Sequence, residues 1–149
     1  MDPKLLQLLI DHAREVRDFA ATRAATSRRD RAAAEATLHT LTEYRVESLA
    51  KGPVRTGNAI GVEQLVTAVH FDGRLLSAID AQAQQHADRL ATSERHDAEL
   101  IARQQRLKAL ELLSQRRALA RARTATRREQ HGFDELAANR AARKQPGKD

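Results

Sequence analysis

Apolar residues recur every three or four positions along two long stretches of the chain. The first stretch runs from about residue 3 to residue 50 without a strong helix breaker. Its stripe consists of Leu6, Leu9, Ala13, Val16, Ala20, Ala24, Ser27, Arg31, Ala34, Leu38 and Leu41. Such steps keep side chains on one face of an α-helix. Because many of the positions are alanine, a partner helix could approach closely but would bury little apolar area in each layer.

The second stretch, about 62–131, has a more regular heptad with polar interruptions. Its positions are Val62, Leu65, Val69, Asp72, Leu76, Ile79, Ala83, His86, Leu90, Ser93, Asp97, Leu100, Gln104 and Leu107. Alternating steps of three and four are typical of a coiled-coil seam. Gly132 is a candidate helix break, which predicts a separate short helix over 133–144 and a frayed tail over 145–149.

Residues 51–61, between the two stretches, predict a bend. The segment holds three of the six glycines and Pro53, which lacks a backbone donor and clashes with a preceding helical turn. We therefore predict one domain over 1–149, an all-α, antiparallel two-helix coiled-coil hairpin. Folding the chain between residues 56 and 57 places residue 69 opposite Tyr44 and residue 110 opposite Pro3. The second helix would then extend beyond the start of the first.

The charge of the chain is concentrated in this extension. The net charge is +6, and residues 112–149 carry 10 basic and 4 acidic residues, which accounts for all of it. A basic C-terminal overhang predicts a partner with an acidic surface. The absence of cysteine fits a reducing compartment. No apolar run approaches the ~20 residues of a membrane span, and no signal peptide is indicated.

Little in the sequence points to catalysis or to a cofactor. No two of the six histidines form an i, i+4 metal pair, and cysteine ligands are absent. The glycines near the bend lack the lysine and the preceding strand of a phosphate-binding loop. A two-helix hairpin also offers no concave pocket in which a reacting group could be desolvated. The sequence therefore predicts a protein that is not an enzyme and needs no metal or cofactor.

A second apolar stripe lies off the predicted seam. Phe71, Leu75, Ala78 and Gln82 follow helical spacing, and Tyr44 of the first helix is placed beside them across the hairpin. Apolar and aromatic side chains outside a seam predict a surface for a partner protein. The alternatives are a locally wider seam or a tail segment that folds back over the stripe.

Three stretches of the chain resemble the family of the flagellar export protein FliJ. They are Ala34–Arg45 (AEATLHTLTEYR), Phe71–Ile79 (FDGRLLSAI) and Phe133–Lys144 (FDELAANRAARK). The second stretch has the F-x3-L-x2-A-I spacing of the family. The order and separation of the three stretches are also similar to those of the family. The resemblance implies a coiled coil like the central stalk of rotary ATPases, acting as a cytoplasmic component of flagellar type III export.

The resemblance also implies partners and site residues. The expected partners are the ring of the export ATPase, the cytoplasmic domain of the export gate FlhA, and substrate chaperones, at the inner membrane below the flagellar basal body. The implied gate-binding residues are Leu41, Tyr44, Phe71, Leu75 and Ala78. Ser48 and Gln82 depart from the Tyr and His that the family can carry there.

The basic overhang is expected to enter the ATPase ring, with Arg116, Arg117, Arg121 and Arg123 in contact. Two other functions stay open at this point. One is the equivalent stalk protein of a virulence type III secretion system. The other is a basic coiled-coil nucleic-acid binder, although the overhang lacks the interleaved aromatic residues of such proteins.

Overall fold

Two long helices make up the structure, a computed structural model that describes residues 2–52 and 59–144. Helix α1 spans Pro3–Lys51 and helix α2 spans Val62–Arg143. These two ranges contain no β-strand. The all-α helical hairpin predicted from the apolar pattern is therefore confirmed. The predicted bend at Pro53 and Gly57, and the predicted tail 145–149, lie outside the described residues.

Both helices begin at residues whose oxygens accept the first backbone bonds. The Lys4 amide donates to the Asp2 carboxylate at 3.0 Å, and the Leu6 amide donates to the Asp2 carbonyl at 3.1 Å. Asp2 is thus the N-cap of α1, because it satisfies amides that have no partner within the helix. At the start of α2, the Gly61 carbonyl accepts from the amide of Leu65 at 3.2 Å.

Helix α2 continues through Gly132, so the predicted break there is wrong. Residues 133–143 are the last turns of α2 and do not form a separate helix. A glycine inside a helix costs only about 1 kcal/mol relative to alanine, and the flanking residues keep helical conformation on both sides. A Cβ atom built at Gly132 meets nothing within 4 Å, so no close packing requires glycine at this position.

The described residues group into two units. Unit 1 comprises 2–14 and 105–144, and unit 2 comprises 15–52 and 59–104. Each unit contains part of α1 and part of α2. The prediction of a single domain over 1–149 stays a prediction.

Unit 1 has a small apolar core where the two helices pack. Its buried members are Leu6, Ile10, Ala13 and Leu107, with Leu110 and Leu113 packed against them. Beside this core, the Arg14 guanidinium donates to the Glu111 carboxylate at 3.0 Å. The apolar pattern identified Leu6 and Ala13 correctly, but it placed Leu9 in the stripe, whereas Ile10 is the buried residue.

The pairing of the helices in unit 1 extends further along α2 than predicted. Pro3 was expected opposite residue 110, but Pro3 and Leu6 line one pocket together with Arg117, Ala120 and Arg121. Beyond this point every described residue from 118 to 144 is exposed. The segment of α2 without cover from α1 is therefore shorter than the predicted overhang, and it begins within the basic region.

Unit 2 is held by a narrow antiparallel seam of small residues and charged pairs. Its buried side chains are Ala20, Ala24, Ser27, Ala34, Leu75 and Ser93. Ion pairs between the helices flank this seam: Arg28 with Asp97 at 2.7 Å, Asp30 with Arg89 at 3.3 Å, and Arg23 with Glu99 at 3.6 Å. Because alanine and serine bury little apolar area, the apolar layers of this seam stabilise the unit weakly.

The seam face of α2 in unit 2 differs from the predicted heptad. Leu75 is buried while Leu76 is exposed, and Gln82 is half-buried while Ala83 is exposed. The Gln82 side-chain amide donates to the Ala34 carbonyl of α1 at 3.2 Å. Because Ala34 is small, the longer glutamine can reach the backbone of the facing helix.

Candidate functional site

Tyr44 of α1 and Phe71 of α2 are in contact in unit 2. Tyr44 is the only tyrosine of the chain, and Phe71 is one of its three phenylalanines. Their ring centroids are 6.3 Å apart and the ring planes meet at 77°, an edge-to-face contact. Edge-to-face packing is a preferred arrangement because the positive edge of one ring meets the negative face of the other. Tyr44 is nevertheless 54% exposed and Phe71 44% exposed. We call Tyr44 and Phe71 the aromatic pair.

An ion pair lies directly beside the aromatic pair. Arg45 Nε donates to Asp72 Oδ1 at 2.9 Å, and Arg45 Nη2 donates to Asp72 Oδ2 at 3.1 Å. The two hydrogen bonds form a bidentate contact between two planar groups. The hydrogen bond to Asp72 is the main cause that raises the pKa of Arg45 above its ordinary value. Both side chains are about one-third exposed, at 30% and 29%.

The remaining residues of the implied gate-binding set have different surroundings. Leu41 is half-buried, Ala78 is exposed, and Leu75 is buried in the seam. The expectation that Leu75 lies off the seam is therefore wrong. Apolarity alone could not distinguish Leu75 from its neighbour Leu76. Among the five, only the side chains of Tyr44, Phe71 and Ala78 are exposed in unit 2.

The two positions that depart from the family pattern lie on the seam side. Ser48 is half-buried, and Gln82 donates its hydrogen bond to Ala34 on α1. Gln82 was grouped with the second stripe in the sequence, yet its side chain is turned to the partner helix. Its contact is therefore structural, and it adds no exposed apolar area to the aromatic pair.

Sequence inspection missed a shallow groove that begins at Phe71 and runs toward the start of α2. The groove is lined by Glu63, Gln64, Thr67, Ala68 and Phe71. Glu63, Gln64 and Thr67 precede Phe71 by eight, seven and four residues, which places them along one side of the helix. This spacing was visible in the sequence, but polar residues at these positions gave no apolar signal.

The predicted ring-contact arginines lie in unit 1, on α2. Arg116, Arg121 and Arg123 are exposed, while Arg117 is half-buried and takes part in an interaction. Arg117 and Arg121 also line the pocket that contains Pro3 and Leu6. The prediction of a fully uncovered basic segment is therefore wrong at its beginning, because Arg117 lies beside the N-terminal turns of α1.

Within residues 2–52 and 59–144, the side chains offer little for catalysis or metal binding. No group of three or more His, Cys, Asp or Glu residues in these ranges is placed to hold a metal ion. The carboxylates of the ion pairs face arginine, lysine or histidine side chains, a pattern typical of structural pairs. No helix in the described part of the chain is long and apolar enough to cross a membrane.

Comparison with protein families gave one match that spans almost the whole chain. The family model described as "Flagellar FliJ protein" matches residues 3–146. Neither the search of curated proteins nor that of solved structures returned a significant match. The matched range includes both helices, the aromatic pair and the basic region of α2. The chain therefore belongs to the flagellar FliJ protein family, whose members are non-enzymatic components of flagellar export.

Proposed function

We propose that this protein is a cytoplasmic adaptor of flagellar type III export that binds the export gate through the aromatic pair. The observation that carries the proposal is the exposure of two large aromatic rings that contact each other on unit 2. Aromatic side chains dominate the binding energy of many protein interfaces, because they bury a large area on association. The partner in this proposal, the cytoplasmic domain of the gate protein FlhA, is the one that the resemblance to the family implies, and the family match supports a role in flagellar export.

The second part of the proposal concerns the export ATPase. Arg116, Arg117, Arg121 and Arg123 would contact acidic surfaces of the ATPase ring and promote its assembly and activity. The exposed helical segment 118–144, which carries the C-terminal basic residues, supports this role. The protein would also escort substrate chaperones and act at the inner membrane as a peripheral component.

Two other functions have less support. A stalk role in a virulence secretion system would use the same physical features, but the family match is to a flagellar protein. A nucleic-acid role would use the basic segment, yet Phe133 is the one Phe, Tyr or Trp in its exposed part from 118 to 144, so rings for stacking on bases are not interleaved with its arginines.

Co-purification tests the proposal. The tagged full-length protein is mixed with the export ATPase and with the gate cytoplasmic domain of the same organism, and ATPase activity is measured in parallel. We expect both partners to bind and the ATPase rate to rise. Failure to bind either partner would contradict the proposal, and tight binding of duplex DNA at physiological salt would support the nucleic-acid role in its place.

A further inference from the structure

We propose that the Arg45–Asp72 ion pair is a positioning element that fixes the register in which α1 and α2 present the aromatic pair. The inference deepens the proposed function, because it names the contact that shapes the gate-binding surface. The proposal concerns residues of unit 2 only. It follows from the side chains of the aromatic pair and of Arg45 and Asp72.

The first step is the order of residues along the two helices. Arg45 directly follows Tyr44 on α1, and Asp72 directly follows Phe71 on α2. One residue along a helix corresponds to a rise of ~1.5 Å and a rotation of about 100°. Arg45 and Asp72 are half-buried whereas the rings before them are exposed, so the charged side chains lie at the seam and the rings on its flank. A contact that holds the charged residues together also sets the distance between the rings.

The second step is the geometry of the ion pair. Two hydrogen bonds of 2.9 and 3.1 Å join one guanidinium to both oxygens of one carboxylate. A single contact leaves rotation about its axis free, whereas a bidentate contact between planar groups restricts rotation as well as translation. By comparison, Arg89 Nη1 donates a hydrogen bond of 3.3 Å to Asp30 Oδ2 in the same unit.

The third step concerns the other register signals nearby. Ser48 and Ala68, two half-buried neighbours of Arg45 and Asp72 on the seam, are small, and the larger apolar side chains there are half-buried Leu41 and buried Leu75. A slip of one helical turn would move the helices by ~5.4 Å, and would leave Arg45 and Asp72 partly buried without each other. Because an unpaired charge in a seam is costly, the pair disfavours slipped registers.

Charge exchange tests the proposal. The variants are Arg45→Asp, Asp72→Arg, and the double variant that exchanges both residues. The matched control exchanges another Arg–Asp pair between the helices, Asp30→Arg with Arg89→Asp, which lies away from the rings. A further double variant, Arg45→Leu with Asp72→Leu, removes the charges but keeps the seam filled, and such replacements are often neutral for stability.

Two readouts report positioning, and a third reports folding. Tyr44 is the only tyrosine, so NMR cross-peaks between a tyrosine and a phenylalanine ring report the aromatic pair directly. Gate affinity is measured by titration with the gate cytoplasmic domain, and melting is followed by circular dichroism.

We expect each single variant to lose the ring cross-peaks and about tenfold in gate affinity, with restoration to within about twofold by the exchange. The leucine variant should melt close to the temperature of the wild type. Its Tyr44 and Phe71 rings should no longer hold one defined arrangement, so their cross-peaks should weaken or disappear. The control exchange should change neither readout.

The proposal is overturned if folded single variants keep the ring cross-peaks, or if the leucine variant keeps them at wild-type strength. If the single variants unfold, the leucine variant decides: loss of its ring cross-peaks supports the proposal, and cross-peaks of wild-type strength overturn it. Absence of gate binding by the wild type would contradict the proposed function, while the ring cross-peaks would still decide the positioning role.

Discussion

Leu75 and Leu76 are neighbours in the chain with opposite environments: Leu75 is 8% exposed in the seam of unit 2, and Leu76 is 39% exposed on its flank. Both residues are leucine, so they have the same apolarity and the same helix propensity. Only the position of α1 decides which of them is covered. A comparison of Leu75 with Leu76 therefore tests how α2 is placed against α1 in this unit.

Replacing each leucine by alanine should give unequal losses of stability. Leu75→Ala removes a buried side chain and should lower the free energy of unfolding by about 2–4 kcal/mol. Leu76→Ala should cost less than about 1 kcal/mol, because its side chain already contacts solvent. Urea unfolding followed by circular dichroism measures both values. Equal losses, or a larger loss for Leu76→Ala, would show that α2 is rotated relative to the structure.

Gln82→Ala should also weaken unit 2. The variant removes the hydrogen bond from the Gln82 amide to the Ala34 carbonyl, and we expect a loss of about 1 kcal/mol. The control is Gln84→Ala, because Gln84 is exposed and bonds only within α2, to Asp88 at 3.1 Å. Its loss should stay below about 0.5 kcal/mol. If the two variants melt alike, the bond between the helices contributes nothing measurable.

Gly132→Ala should make the end of α2 more helical. The glycine lies within the helix, and an added Cβ atom has open space around it. Alanine should therefore stabilise the helix locally by about 1 kcal/mol. Helicity by circular dichroism and slower amide hydrogen exchange over residues 128–136 are the measurements. An unchanged or lower helicity would favour the break that the sequence suggested.

Reversal of four arginines tests the ATPase contact. Changing Arg116, Arg117, Arg121 and Arg123 to glutamate should weaken binding to the ATPase ring and make the remaining binding less sensitive to salt. The control reverses four exposed arginines of unit 2, Arg29, Arg31, Arg74 and Arg95. The control protein has the same net charge, so it should bind the ring much better than the test variant. Equal ring binding by both variants would contradict a local contact and indicate that only total charge matters.

The helices were predictable from sequence because their signals are local. Periodicity and the breakers near Pro53 act over a few residues, and they predicted the bounds of α1 to within one residue. Gly132 misled the prediction because a single glycine carries a small cost, which a helix of 82 residues tolerates.

The seam was harder to predict because it depends on the facing helix. Leu75 and Leu76 fit equally well by apolarity. The heptad placed Ala83 in the seam and left Gln82 in the second stripe, although the length of Gln82 lets it reach Ala34. The contact of Tyr44 with Phe71 was predicted from the hairpin arithmetic, which placed residue 69 opposite Tyr44 and so came close to Phe71. The ion pair beside them was not predicted, because Asp72 was read only as an interruption of the heptad.

The affinity of the Phe71→Ala variant for the gate cytoplasmic domain tests the central claim most directly. The matched control is Phe19→Ala, the same change at a residue that is 66% exposed on α1 in the same unit. We predict that Phe71→Ala keeps its helical signal and loses about thirtyfold in affinity, the loss typical of an interface hot spot, while Phe19→Ala binds like the wild type. A folded Phe71→Ala variant with wild-type affinity would contradict the account.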